Sequence, residues 1–108
     1  MRRLKIGGVP EHFNLPWRLA IEEGLFSDIG AELHWSDMNG GTGQMIKGLQ
    51  VGSLDIAVLL TEGITRAILK GLEAKIIAVY VQSPLCWGVH VANNNAVQRI
   101  KDLDGSVF

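Results

Sequence analysis

The segment Pro10-Glu11-His12-Phe13-Asn14 places a carboxylate, an imidazole, an aromatic ring and an amide at neighbouring positions. The Glu11 carboxylate can accept a hydrogen bond from an amine or ring N–H, His12 can hydrogen-bond or titrate, and Phe13 can stack on a planar ligand. Segments that only turn the chain rarely combine these groups, so we expect all five residues to contact a ligand. A structural interpretation also fits, with His12 exposed, Phe13 in the core and Asn14 as a helix N-cap.

A second candidate is the glycine-rich segment Gly40-Gly41-Thr42-Gly43. Its glycines allow close backbone approach and Thr42 adds a hydroxyl, so Gly41, Thr42 and Gly43 are predicted ligand contacts. The segment is not a phosphate-binding loop, because no Gly-Lys-Ser/Thr follows it. The dinucleotide-binding pattern also fails, because Ile46 stands where its last glycine is required. Nucleotide binding is therefore not expected.

Thr61 and Glu62 form the third candidate, at the start of a predicted helix. Thr61 suits the N-cap, and a glutamate in the first turn is favoured by the helix dipole, so both also have a structural explanation. As a ligand contact, Glu62 argues against a purely anionic ligand. Together with Glu11 and three helix amino ends, it indicates a neutral or zwitterionic polar ligand, with a planar ring as a further option.

The elements that position these residues follow from the spacing of apolar residues. Strands are predicted at 4–9, 32–37, 55–60 and 74–81, with helices between them that end near Gly24, Gly52 and Gly71. The order βαβαβαβ predicts an α/β fold with a doubly wound, mainly parallel sheet covered on both faces. Right-handed crossovers then bring 10–14, 38–42 and 60–62 to the carboxyl edge of the sheet, where ligands bind.

Beyond Ser83-Pro84 the pattern changes. We expect a further strand at 85–92, a loop at 93–95, a helical turn at 100–103 and the start of another strand at 105–108. Cys86 is predicted to be a buried small hydrophobic residue, and Trp17, Trp35 and Trp87 to lie in the core or at its rim.

Composition narrows the function classes. The chain has 108 residues, of which 47% are hydrophobic and 19% charged, so it is not a disordered chain. Ten basic and eleven acidic residues give a net charge of -1, which does not favour nucleic acid or an anionic membrane. Three separated histidines and one cysteine match no zinc-site spacing, so neither a metal nor a redox cofactor is expected. The chain shows no membrane span or signal-peptide pattern, which predicts a cytoplasmic protein, or a periplasmic or lipid-anchored one if a leader was removed.

Several short motifs together resemble the amino-terminal part of the solute-binding proteins of ABC transporters. The resemblance is to the nitrate, sulfonate, taurine and thiamine-precursor group, which includes thiamine-pyrimidine synthase-like proteins. The residues that carry it are Leu4-Lys5-Ile6-Gly7 with Val9-Pro10, Ala20-Ile21-Glu22-Glu23-Gly24-Leu25-Phe26 with Gly30, Gly41-Thr42-Gly43, Gly52-Ser53-Leu54-Asp55-Ile56-Ala57, and Ile100-Lys101-Asp102-Leu103-Asp104-Gly105.

This resemblance implies a type II periplasmic-binding-protein clamshell that closes by a hinge motion. Residues 1–84 would form the first lobe, and 85–108 the crossover and the start of a second lobe. Ligand would be held by loops like 10–14, 41–43, 61–62 and 83–84, which adds Ser83 to the candidate contacts. A membrane component of an ABC transporter is the implied partner. A chain ending at Phe108 would leave sheet edges uncovered, so a homodimer through those edges is a further expectation.

We therefore predict a non-catalytic solute-binding protein for a small polar organic metabolite. The alternative is an enzyme of thiamine-precursor metabolism on the same fold, with Glu11 and His12 as acid and base. Pyrimidine synthases of this fold rely on a cysteine-rich motif, which a chain with Cys86 alone does not contain. A third interpretation is an α/β fragment that binds no ligand and associates through its uncovered edge.

Overall fold

Strands and helices alternate from the first strand to residue 69. The computed structural model describes residues 1–93 and 96–105. Its elements are β1 (Arg2–Gly8), a 3-10 helix (His12–Asn14), α1 (Leu15–Glu22), a 3-10 helix (Ser27–Ile29), β2 (Ala31–Asp37), α2 (Gly41–Val51), β3 (Ile56–Val58), α3 (Thr61–Leu69) and a 3-10 helix (Ile100–Leu103). The first three predicted strands, the three helices and the helical turn at 100–103 are thereby confirmed.

The three strands form one parallel sheet in the order β2-β1-β3. Ile6 of the central strand lies opposite Trp35 on one side and Ile56 on the other. Because both pairings are parallel, the last residues of the strands, Gly8, Asp37 and Val58, lie at the same edge. The predicted α/β fold is confirmed, and its carboxyl edge collects the three candidate segments at their strand ends.

The core lies against β1 and combines side chains of the sheet, of α2 and of α3, whereas α1 contributes no buried residue. The buried apolar residues are Ile6, Leu33, Met45, Leu54 and Ile64, and Ile6 is fully buried. Asp55, which immediately precedes β3, makes two hydrogen bonds to Lys5 of the central strand. The Asp55 carboxylate accepts from the Lys5 N–H, and the Asp55 N–H donates to the Lys5 carbonyl, both at 2.8 Å. The sheet is therefore held by backbone pairing and by this side-chain contact.

Glycines end the second and third helices as predicted. Gly52 follows α2 with φ 75°, and Gly71 follows α3 with φ 108°, both in the left-handed region that glycine adopts without a Cβ penalty. The Lys5 ammonium donates to the Gly52 carbonyl at 2.6 Å, which satisfies an acceptor at the end of α2.

The predicted strands at 74–81 and 85–92 are wrong for this structure. Residues 72–93 contain no helix or strand, and Ile77 and Trp87 in this segment are each 80% exposed. A strand-like sequence forms a strand only against a partner, and none of the described residues pairs with this segment as a strand. Cys86 is exposed, so its predicted burial is wrong, as is a core or rim position for Trp87. Residues 94–95 and 106–108 of the predicted loop and last strand lie outside the described residues.

The predicted cover of the sheet on both faces is only partly observed at β3. The three residues of β3 are half-buried, because this strand pairs with β1 alone in the described part of the chain. Across residues 1–93 and 96–105, no helix has the length and apolar character needed to cross a membrane.

Candidate functional site

The loop after β1 is folded onto the end of its own strand. The Glu11 N–H donates to the Val9 carbonyl at 2.8 Å, and the Asn14 N–H donates to the Glu11 carbonyl at 3.0 Å. Asn14 is 2% exposed, and its Nδ2 donates to the same Val9 carbonyl at 2.8 Å. Asn14 occupies the N-cap position of α1 as predicted, but its side chain does not cap that helix. The Asn14 side chain instead holds the loop against the end of β1 through its hydrogen bond to Val9.

The Glu11 and His12 side chains of this loop face solvent. Pro10, Glu11 and His12 are exposed, Phe13 is half-buried, and the His12 and Phe13 rings meet edge to face with centroids 5.7 Å apart. Within the described residues, the Glu11 and His12 side chains form no hydrogen bond or ion pair. Their hydrogen-bonding capacity is therefore unused by the fold.

A depression of about 230 Å³ lies beside the loop. It is lined by residues of the segment 9–14 together with Leu15, Arg18, Trp35 and Asp37. The Trp35 Nε1–H donates to Asp37 Oδ1 at 2.8 Å, which orients the indole at the end of β2. None of Leu15, Arg18, Trp35 and Asp37 was predicted from the sequence to belong to the site. Two of them were predictable, because Asp37 ends a strand and Arg18 lies one helical turn after Asn14.

The depression continues into a more open one along α1 and β2. This second depression, of about 380 Å³, shares Arg18, Trp35 and Asp37 with the first and adds residues farther from the carboxyl edge: Ile21, Glu22, Leu33 and His34. On this flank His34 Nε2 lies 3.1 Å from Glu32, whose carboxylate also pairs with Arg3 at 2.9 Å. These exposed pairs contribute little to stability.

The amino-terminal turns of α2 and α3 meet on another part of the carboxyl edge. Thr42 is half-buried, and a Cβ built on Gly63 would lie 2.5 Å from its Cγ2, so the threonine methyl packs directly against α3. The Thr42 hydroxyl forms no hydrogen bond to the described residues. Gly41, Thr42 and Gly43 all belong to the first turn of α2, whose backbone N–H groups lack partners within the helix.

A hydrogen bond to Gln44, which was not predicted from the sequence, caps the start of α2. The Gly40 N–H donates to Gln44 Oε1 at 2.7 Å, and the Gly41 N–H donates to the Met38 carbonyl at 3.0 Å. Gly41 adopts φ 71°, which supports the predicted turn. A glutamine four residues after the N-cap was the available signal, since such side chains reach back to the free N–H groups of the first turn.

The start of α3 differs by one residue from the prediction. Leu60 is the N-cap and Thr61 is the first helical residue, so Thr61 as N-cap is wrong. Glu62 is exposed in the first turn, where the helix dipole favours a carboxylate. Both side chains remain accessible at the carboxyl edge.

The candidate residues therefore form two groups and one outlier. Four residues of the segment 10–14 line the depression, namely Pro10, Glu11, His12 and Asn14, whereas Phe13 does not. The segments 41–43 and 61–62 form the α2–α3 junction and are not part of this lining. Ser83 is exposed in the segment 72–93, and no hydrogen bond joins it to either group. In the described ranges no group of three or more His, Cys, Asp or Glu side chains is arranged to hold a metal ion.

Comparison with known proteins identifies one family and one solved structure. A family model described as NMT1/THI5 like matches residues 12–108. The solved structure is a conserved Candida albicans gene product, described as defining a new family with the generic periplasmic binding protein fold. It matches with 31% identity and a TM-score of 0.61 over 66% of this chain. The match spans 23% of that protein, and no curated protein matches.

Proposed function

This chain belongs to the NMT1/THI5-like family, and we propose that it forms part of the first lobe of a solute-binding protein that holds a small polar organic molecule without converting it. The fold supports this proposal, since the Candida structure to which the chain is similar has the generic periplasmic binding protein fold. The observation that carries it is the loop after β1, in which Glu11 and His12 lie exposed and unpaired beside a depression.

The lining of the depression supports a ligand of mixed polarity. Glu11 and Asp37 supply carboxylates and Arg18 a guanidinium, so both signs of charge are present within one small volume. The Trp35 ring adds a flat apolar surface. A zwitterion or a neutral polar molecule with a planar ring satisfies this set better than a simple anion or cation.

A second surface must cover the site if the ligand is to be enclosed. The chain spans only 23% of the Candida structure, so we propose that further polypeptide supplies this surface, with residues 85–108 as the crossover towards it. Under this proposal the lobes close by a hinge motion, and the membrane component of an ABC transporter is the partner of the whole protein. A second copy of the chain is the other source of a covering surface.

Calorimetric titration with taurine and a pyrimidine thiamine precursor tests the binding function, and nitrate, a simple anion, is the control that should not bind. We expect saturable binding of one of the two organic probes, weakened in Glu11→Gln, and recovery of the probe unchanged. Turnover of the pyrimidine with a pH-rate limb lost in His12→Ala would establish an enzyme instead. Absence of binding by both organic probes, or saturable binding of nitrate, would contradict this ligand range.

Two variants of Thr42 separate its hydroxyl from its methyl group. Thr42→Val keeps a methyl against Gly63 and removes the hydroxyl, so we expect binding to weaken by about 1 kcal/mol, the effect of one lost hydrogen bond. Thr42→Ser keeps the hydroxyl and is the matched control, with affinity close to wild type. Equal affinities for wild type and Thr42→Val would remove the α2 turn from the site.

A further inference from the structure

The segment 72–93 has no regular secondary structure, and its Tyr80 contacts the loop 10–14. The Tyr80 hydroxyl donates to the Phe13 carbonyl at 2.5 Å, between residues 67 positions apart. In the described part of the chain, the other hydrogen bonds of the loop 10–14 link it to itself, to Val9 or to the first turn of α1. Tyr80 therefore provides a hydrogen bond to this loop from a distant part of the chain.

The ring of Tyr80 makes a second contact. Its centroid lies 5.5 Å from that of Trp17 in α1. Trp17 in turn stacks on Phe26 at 6.0 Å and on Trp35 at 6.3 Å. Since Trp35 lines the depression, Tyr80 belongs to a row of rings that ends at the candidate site.

Most apolar side chains of the segment are exposed. Ile77 is 80% exposed and Val79 67%, whereas Val81, Val91 and Tyr80 are 46%, 44% and 40% exposed. Tyr80 combines this partial cover with contacts to both the loop backbone and α1.

We propose that Tyr80 is a positioning residue for the loop 10–14. Its hydroxyl holds the Phe13 carbonyl, and this contact sets the orientation of Glu11 and His12 on the adjoining 3-10 turn. A ligand that shifts the loop must also shift Tyr80, and with it the segment that leads to residue 85 and beyond. The coupling to a ligand rests on the proposed function, but the restraint on the loop does not.

Amide hydrogen exchange in Tyr80→Phe tests the restraint. The variant keeps the ring and loses the hydroxyl, so exchange of the Glu11 and Asn14 amides is expected to accelerate about five-fold, as for one typical hydrogen bond. The Asp55 amide, which lies just before β3 and donates to the Lys5 carbonyl, is expected to exchange at the wild-type rate. Trp87→Phe, in an exposed aromatic residue of the same segment, is the matched control without effect on the loop.

A general loss of stability would accelerate all three amides together and lower the melting temperature, and it would overturn the proposal, as would unchanged loop exchange. A second measurement uses tryptophan emission in a Trp87→Phe background. Tyr80→Leu should change this emission because the ring leaves Trp17, whereas Tyr80→Phe should preserve it. Unchanged emission in Tyr80→Leu would contradict the ring contact.

Titration with the same two organic probes separates the two proposals. If one probe binds the wild type, Tyr80→Phe should weaken that binding severalfold, and equal binding would refute the positioning role. If no probe binds while the loop amides still accelerate, the restraint stands and the proposed ligand range fails.

Discussion

Replacement of Gly63 by alanine tests whether the amino ends of α2 and α3 meet as described. A Cβ at position 63 would lie 2.5 Å from Thr42 Cγ2, well inside van der Waals contact. Thr42→Ser removes that methyl while keeping the hydroxyl. The double variant should therefore relieve the overlap that the single alanine creates.

The magnitude follows from two opposing effects. An added methyl in a packed position costs about 1–3 kcal/mol, and alanine in place of a helical glycine returns up to about 1 kcal/mol. Gly63→Ala alone should thus lower the free energy of unfolding by about 1 kcal/mol, near the middle of the net range. With serine at 42 the overlap is absent, so the same alanine should be neutral or stabilising. The coupling between the two positions should be about 1–3 kcal/mol.

Thermal and urea unfolding of the four proteins measures this coupling. For a chain of this length, 1 kcal/mol shifts the melting temperature by about 4–8 °C, so the effect is well resolved. The decisive observation is that Gly63→Ala destabilises the wild type but not the Thr42→Ser protein. Effects of the two substitutions that add within about 0.5 kcal/mol would show that Thr42 and Gly63 are not in contact, and the reasoning about the α2–α3 junction would be refuted.

Two further pairs of substitutions test the sheet and its edge. Gly8→Ala places a Cβ 2.5 Å from the Trp35 ring and should destabilise the protein by about 1–3 kcal/mol. Its control, Gly43→Ala, has open space around it in α2 and should be neutral or stabilising. Equal melting temperatures for the two variants would contradict the packing at the end of β1. Ile6→Ala in the fully buried centre of β1 should cost about 2–5 kcal/mol, and Ile29→Ala, 78% exposed, no more than about 0.5 kcal/mol; a small effect at Ile6 would move the core elsewhere.

The first part of the fold is predictable from local signals. Apolar runs, helical spacing and glycine stops each depend on residues close in sequence, and they locate β1, β2, α2 and the ends of the helices. The continuous apolar runs also predict the parallel arrangement correctly. A strand at 74–81 is a different case, because β-propensity needs a partner strand and the sequence alone does not say whether one is present.

The candidate site shows the same division. That the segments 10–14, 41–43 and 61–62 lie at strand ends follows from topology alone. The side-chain partners do not follow, since Asn14 turns back to Val9 and Tyr80 reaches Phe13 across 67 positions. The Tyr80–Phe13 contact joins positions far apart in the sequence, and no local pattern encodes it. The same holds for the packing of Thr42 against Gly63, which separates the α2–α3 junction from the depression.

Native mass spectrometry of the protein purified gently from its expression host tests the central claim most directly. If the solute site exists, a population of the protein should exceed the mass of the chain by one small organic molecule, and Glu11→Gln should lose that molecule. A wild-type protein that carries no small molecule, or a molecule that Glu11→Gln retains equally well, would contradict a solute site at the loop after β1.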